Sequence, residues 1–263
     1  MKKFQVALQL YSIRDEMEKD MEGTLREVKA MGYDFVEFAG YFGRSAEEVR
    51  AMLDAAGLAC VSVHQSYDVF LTNGEYEVDF LKTIGAKYCA VPWMKDGHKG
   101  SESFDKTLAD YTKISGMLKK AGIQFLYHNH DFEFETVDGK YKLDWLFESF
   151  PADVLQTEID TCWVRYAGVD PCAYVRKYAG RAPIVHLKDF LWSNPNASDA
   201  GESKNDGPFL QPIGMGIQDI PAILAAAEDA GTDIVVVEQD ESLDRPPMEA
   251  ARLSREYLKS LGI

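Results

Sequence analysis

Pro183-Ile184-Val185-His186-Leu187-Lys188-Asp189 is a short apolar run that ends in a histidine, a lysine and an aspartate. Branched apolar residues bounded by proline and charge read as a buried strand whose polar groups emerge at its C-terminal tip. The same design recurs in Cys60-Val61-Ser62-Val63-His64, Phe125-Leu126-Tyr127-His128, Leu155-Gln156-Thr157-Glu158-Ile159-Asp160 and Ile234-Val235-Val236-Val237-Glu238. Each segment carries to its end a side chain that can ligate a cation or move a proton.

Outward from these segments, strand and helix patterns alternate along the whole chain. Strands are predicted over 6–10, 35–39, 58–64, 88–93, 123–129, 154–160, 182–187 and 234–237. Between them lie helical spacings. Met21, Leu25, Val28 and Met31 fall on one face, with Gly32 to end the helix. Ser45 and Glu48 form a capping-box pattern. Phe104, Leu108, Tyr111, Ile114 and Leu118 form another apolar face. The helix after the third strand is predicted at 77–84, and the one after the sixth is predicted to open at Asp170-Pro171. Repeated βα units of about 30 residues predict an α/β protein, a single closed (β/α)8 TIM barrel spanning 1–263. A polar stretch at 191–216, after the seventh strand, is long enough to act as a lid. The competing architecture is an open doubly wound sheet. The first βα turn has no GxGxxG and the chain has no GxxxxGK[ST], so nothing supports nucleotide cradling.

Composition narrows the function classes. The 263 residues carry 43 acidic and 28 basic side chains, a net charge of −15. Nucleic-acid binding needs clustered Lys and Arg, so it is not expected. The four cysteines are scattered, without a CxxC, and read as reduced, packed thiols. The first apolar run is short and soon meets Arg14-Asp15-Glu16, which reads as a strand and not an export signal. No apolar stretch reaches the roughly 18 residues of a membrane span. The expectation is a cytoplasmic protein with no membrane partner; a homo-oligomer is compatible with the sequence.

In a barrel of this kind chemistry sits at the C-terminal strand ends. Of five histidines, His64, His128 and His186 end predicted strands, His130 lies two residues past His128, and His98 falls in a loop. His128, Asp160, His186 and Glu238 tip the fifth to eighth strands, which are neighbours in a barrel. Two imidazoles and two carboxylates suit one divalent metal, Mn, Co, Zn, Fe or Mg. The bland alternatives are packed histidines and ion pairs of Asp160 or Glu238 with Lys188 or Arg165. Glu37 and His64 are expected across the mouth from these ligands, as contacts for substrate hydroxyls. Trp93, Trp163 and Trp192 follow strand ends, where an indole stacks on a sugar ring or simply packs. Glu133, Glu135 and Asp189 are further candidates for reaching the site, and Glu158 shares the inward face of the pleat with Asp160.

His128-Asn129-His130-Asp131-Phe132-Glu133-Phe134, Asp160-Thr161-Cys162-Trp163, Val185-His186-Leu187-Lys188-Asp189-Phe190 and Val237-Glu238-Gln239-Asp240 resemble the sugar phosphate isomerase/epimerase group of xylose-isomerase-like barrels. That group includes ketose 3-epimerases, hydroxypyruvate isomerase, inosose dehydratase and dehydroshikimate dehydratase. The resemblance implies one divalent metal held by Glu, Asp, His and Glu on the last four strands. It carries over to Asp160, His186 and Glu238; His128 stands where the family has the strand-five glutamate. In family epimerases the strand-five and strand-eight glutamates are the acid–base pair. Gly214-Met215-Gly216 is similar to a family Gly-Glu-Gly turn, with Met215 in place of the charge. The expected function is a metal-dependent isomerase or epimerase of a sugar or polyol acting through an enediolate, with Glu238 or a histidine such as His130 moving the proton and Lys188 steadying a developing oxyanion or a leaving hydroxyl. Alternatives are a lyase or dehydratase on a keto-sugar, of inosose or 3-keto-glycoside type, and a non-catalytic sugar-binding barrel.

Overall fold

The computed structural model describes residues 2–94, 96–193 and 207–263. Eight parallel strands close into a barrel in chain order: β1 (Gln5–Gln9), β2 (Phe35–Phe38), β3 (Ala59–His64), β4 (Tyr88–Val91), β5 (Gln124–His128), β6 (Gln156–Asp160), β7 (Ile184–Leu187) and β8 (Ile234–Val237), with β8 paired back to β1. The predicted strands correspond to these within a residue or two at each end.

The helices are α1 (Arg14–Lys19), α2 (Met21–Met31), α3 (Ala46–Ala56), α4 (Tyr67–Ile84), α5 (Phe104–Lys120), α6 (Lys142–Glu148), α7 (Thr161–Tyr166), α8 (Pro171–Lys177), α9 (Ile220–Ala230) and α10 (Pro247–Ser260). The capping box at Ser45 and Glu48 forms as read, and Gly32 ends α2 in the left-handed region. Three helices differ from expectation. α1 is a separate short helix ahead of α2, with no counterpart in the sequence reading. α4 begins at Tyr67, well before 77, and is kinked at Asn73, which breaks the apolar period of its first half. α7 was not anticipated. It is a six-residue helix capped by Asp160, whose Oδ1 accepts from the backbone N–H groups of Cys162 (2.8 Å) and Trp163 (3.0 Å). So short a helix displays no period for a sequence to reveal.

Past β7 the chain forms an antiparallel ribbon, Asp189–Leu191 against Phe209–Gln211. The lid expected over 191–216 falls largely on 194–206, outside the described residues.

The pleat sorts the side chains. Outward residues such as Val36, Val63, Tyr127, Ile159, Val185 and Val237 pack beneath the helices in the main core. Inward residues form a separate cluster of Ala7, Val61, Ala90, Leu126, Ile184, Ile234 and Val236. These fill the N-terminal half of the barrel interior, and the inward positions beyond them are polar. A bulge in β3 adjusts this alternation. Val36 pairs with Cys60 but Glu37 pairs with Ser62, so β3 has one residue more than its partner there. Val61 and His64 can then both face inward, at an odd spacing that an unbroken pleat forbids.

Candidate active site

The C-terminal mouth opens into a cavity of about 540 Å³ lined by Tyr11, His64, Trp93, His128, His130, Lys188, Glu238 and Asp240, with the backbone near Gly40 and Pro92. The strands deliver these groups at the level where the apolar interior ends. Two overlapping donor sets meet at its floor: His64, His128, Glu158 and His186, and His128, Asp160, His186 and Glu238.

The inner set lies deeper. His64 Nε2 donates to Glu158 Oε2 (2.7 Å) and lies 3.2 Å from Glu37 Oε1. His186 Nε2 is 2.8 Å from Glu37 Oε1 and 3.6 Å from Glu158 Oε1, without hydrogen-bond alignment to either. His128 Nδ1 is 3.6 Å from Glu158 Oε2. Gln9 Nε2 donates to Glu37 Oε1 at 2.7 Å and fixes that carboxylate. Glu37 and His64 rise from the opposite wall, as strand order predicts, yet their side chains do not stand apart from the histidine–carboxylate cluster. They are part of it, because the interior is narrow enough for β2 and β3 side chains to touch those of β6 and β7.

The outer set is organised by Lys188, a lysine only 1 % exposed. Its Nζ lies 2.9 Å from Glu238 Oε2, 3.1 Å from Asp160 Oδ2 and 2.9 Å from Asp240 Oδ1. Glu238 also accepts from His186 Nδ1 at 2.8 Å. One imidazole thus bridges the sets, its Nδ1 toward Glu238 and its Nε2 toward Glu37 and Glu158.

Burial and charge set the protonation of these groups. Burial alone would lower the His64 pKa, but Glu37 and Glu158 reverse this and push it up to about 10. His186 rises well above its ordinary value, against burial, for the same reason. Burial works to raise Glu37, yet the His64 and His186 charges hold it well below the usual range. His128 goes the other way: burial, then His186, His64 and Lys188, keep it neutral. Burial and Lys188 lower His130 to about 3. Lys188 stays charged despite burial because Asp160, Asp240 and Glu238 surround it, and Lys188 in turn keeps Glu238 ionised against burial. Burial raises Asp240 to about 6, with Lys188 acting against it.

Other expected site residues lie elsewhere. Asp189 does not face the cavity. Its carboxylate accepts from the backbone N–H groups of Phe190, Gly214, Gly216 and Gln218 at 2.9–3.0 Å and so ties the Gly214-Met215-Gly216 turn to β7. Glu133 is fully buried behind the wall, where it accepts from Tyr127 Oη (2.7 Å) and the His130 N–H (2.8 Å). It positions His130 without lining the cavity. Trp163 packs behind His130 and Lys188, with ring centroids 5.4 Å from His130. Trp192 stacks on Tyr166. Trp93 lines the cavity, 53 % exposed, edge-on to His130. The expected ion pairing of Asp160 and Glu238 with Lys188 is present alongside the donor sets.

Sequence reasoning assigned no role to Asp240 or Tyr11. Asp240 sits two residues past Glu238, the same spacing that separates Glu158 from Asp160, and that spacing, with its place in the Val237-Glu238-Gln239-Asp240 stretch, was its signal.

Among the described residues, Glu37 Oε2, His128 Nδ1, Glu158 Oε1, Asp160 Oδ2 and His186 Nε2 are buried without a hydrogen-bond partner. Buried polar atoms are nearly always satisfied, and orphans converging on one region fit a cation-binding site. Nitrogen and oxygen donors without thiolate are a set suited to a divalent metal.

Comparison with known proteins agrees with this architecture. A family model described as xylose isomerase-like TIM barrel matches residues 25–261. Inosose dehydratase of Clostridium perfringens is 25 % identical over 277 residues, covering 92 % of this chain and 90 % of that protein. Inosose dehydratase of Clostridium beijerinckii is 26 % identical over 281 residues, with the same coverage. A sugar phosphate isomerase/epimerase from Parabacteroides distasonis superposes with a TM-score of 0.80 at 22 % identity, over 98 % of both chains. The IOLI protein, solved with a zinc atom, superposes with a TM-score of 0.73 at 14 % identity, over 98 % of this chain and 97 % of that one. The closed barrel, its mouth of histidines and carboxylates and the match over nearly the whole length place the chain in the xylose isomerase-like TIM-barrel family of enzymes.

Proposed function

We propose that the protein is a divalent-metal-dependent dehydratase of a keto-sugar or keto-polyol, removing water by β-elimination. The observation that carries this reading is the Lys188 ammonium held between Glu238 and Asp240, with all three groups lining one cavity. Proton acceptors and a proton donor are thereby side by side where a polyol would lie. The relatives named inosose dehydratase support the same chemistry.

A bound metal, held within the histidine–carboxylate cluster, would polarise the substrate carbonyl and acidify the neighbouring C–H. The chain's own groups do the rest. Glu238, ionised beside Lys188, takes the proton from the carbon next to the carbonyl. The electron pair forms the carbon–carbon double bond, and the bond to the β-hydroxyl breaks. Lys188, with Asp240 to resupply it, gives that oxygen its proton, and water leaves. Neutral His130 accepts or donates a hydrogen bond to the substrate, and Trp93 offers an indole face to the ring.

Isomerisation or epimerisation would share the first step and return the proton to carbon. It has less support here. An epimerase needs proton-transfer groups on two faces of one carbon, and β5 presents neutral His128 where the family has a glutamate. Among the described residues, the carboxylates that line the cavity come from the β8 end.

Keto-inositols and keto-hexoses incubated with the Mn²⁺- or Co²⁺-loaded protein in D2O distinguish these outcomes. Loss of one water from the product mass is expected. Unchanged mass apart from one deuterium would replace the dehydratase with an isomerase or epimerase. Glu238→Gln should lower turnover about 10²–10⁴-fold with the fold retained by circular dichroism; full activity would remove Glu238 from the reaction.

A further inference from the structure

We propose that the metal sits in the inner set, on His64, Glu158 and His186 with Glu37 and His128 beside them, and that Lys188 is the permanent cation of the outer set. The inference rests on the metal-dependent reading above and specifies its seat.

Donors about 2.1 Å from one ion stand about 3.0–3.4 Å apart. In the inner set the separations are 2.7 Å (His64 to Glu158), 2.8 Å (His186 to Glu37), 3.2 Å (His64 to Glu37) and 3.6 Å (His128 and His186, each to Glu158). Once an ion displaces the protons on His64 Nε2 and His186 Nε2, small adjustments would make these a coordination shell. The 2.8 Å approach of His186 Nε2 to Glu37 is not aligned as a hydrogen bond. The two atoms are near each other because both point to the same region.

Four atoms of this set are buried without a hydrogen bond among the described residues: Glu37 Oε2, His128 Nδ1, Glu158 Oε1 and His186 Nε2. Their residues are at most 1 % exposed. Four orphans in one place are a large cost unless something satisfies them together.

His186 is already oriented for this role. Its Nδ1–H is given to Glu238, which leaves Nε2 directed at the inner set. A carboxylate that fixes the tautomer of a ligating histidine is the usual partner of a metal-bound imidazole.

In the outer set Lys188 already places a positive charge between the carboxylates. Asp160 Oδ2 and Glu238 Oε2 are 3.1 and 2.9 Å from Lys188 Nζ. An ion bound to both oxygens would stand against the ammonium. Asp160 is further committed through Oδ1 to capping α7. Access to the inner set is from the cavity, whose wall includes His64 and His128.

Wild type, Glu158→Gln, His64→Asn and Asp160→Asn are incubated with Co²⁺, desalted and measured for metal by elemental mass spectrometry and for cobalt absorption bands. Thermal melts check each fold. About one ion per chain is expected in wild type and in Asp160→Asn, with binding at least about tenfold weaker in Glu158→Gln and His64→Asn. The two inner-set variants lie on different strands, so one that folds suffices. Full uptake by a folded inner-set variant, or loss of metal from folded Asp160→Asn, overturns the assignment. Absence of uptake by wild type, tested with Mn²⁺ and Zn²⁺ as well, instead overturns the metal-dependent reading itself.

Discussion

The N-terminal and C-terminal halves of the barrel interior are walled by the same strands and held together differently. In the N-terminal half Ala7, Val61, Ala90, Leu126, Ile184, Ile234 and Val236 pack on one another. Their burial is favourable whatever the pH or ionic surroundings. One step along the strands, Glu37, His64, His128, Glu158, His186, Lys188 and Glu238 are buried as well. None of these is stable alone in that position; each charge is tolerated because a neighbour compensates it. The first half supplies rigidity. The second trades stability for a surface of fixed charges whose state depends on protons and ions.

The largest test of that contrast is Lys188→Met. It leaves Asp160, Glu238 and Asp240 without their shared cation and should cost about 3–5 kcal/mol, read as a lower thermal or urea midpoint. Unchanged or greater stability would mean that the outer set tolerates its charge without the lysine. Ile184→Ala probes the other half. It should cost about 2–5 kcal/mol by leaving a cavity, while metal uptake per folded chain stays as in wild type. Lost uptake would show that the apolar layer sets the geometry of the donors above it. The smallest effect concerns His98, outside both halves, where it contacts Tyr127 Oη at 3.1 Å. Burial lowers its pKa from 6.5 to about 4. The unfolded chain then binds the proton more readily, so this contribution is complete above pH 6.5 and fades as pH falls toward 4. His98→Gln should make the loss of stability between pH 7 and 5 shallower by about 1–2 kcal/mol. Parallel pH curves for wild type and variant would assign the acid sensitivity to the charged half alone.

The fold was legible because each strand is a short branched apolar run and each long helix has a period and a stop. The elements that were not legible lack those signals: α7 is too short to show a period, and Asn73 interrupts the period of α4. The site was legible as a list of strand-end residues and not as an arrangement. Asp189 looked like the continuation of the Lys188 site, yet one residue along a strand turns a side chain to the other face, and its carboxylate went to the Gly214-Met215-Gly216 turn. The tightness of that turn is visible at Gly216, where a Cβ would come within 2.5 Å of the Phe190 backbone.

By itself the sequence determined the (β/α)8 order and the polar groups at the strand tips, since both follow from local patterns with periods of about 2 and 3.6 residues. It also determined that the chain carries histidine, and no glutamate, at the end of β5. The tertiary structure alone decided which tips meet. Closure of the barrel set Glu37 and His64 against Glu158 and His186, and the β3 bulge turned Val61 and His64 to the same side. Distances across a closed sheet depend on its stagger and on every strand's register. No local stretch of chain encodes those quantities.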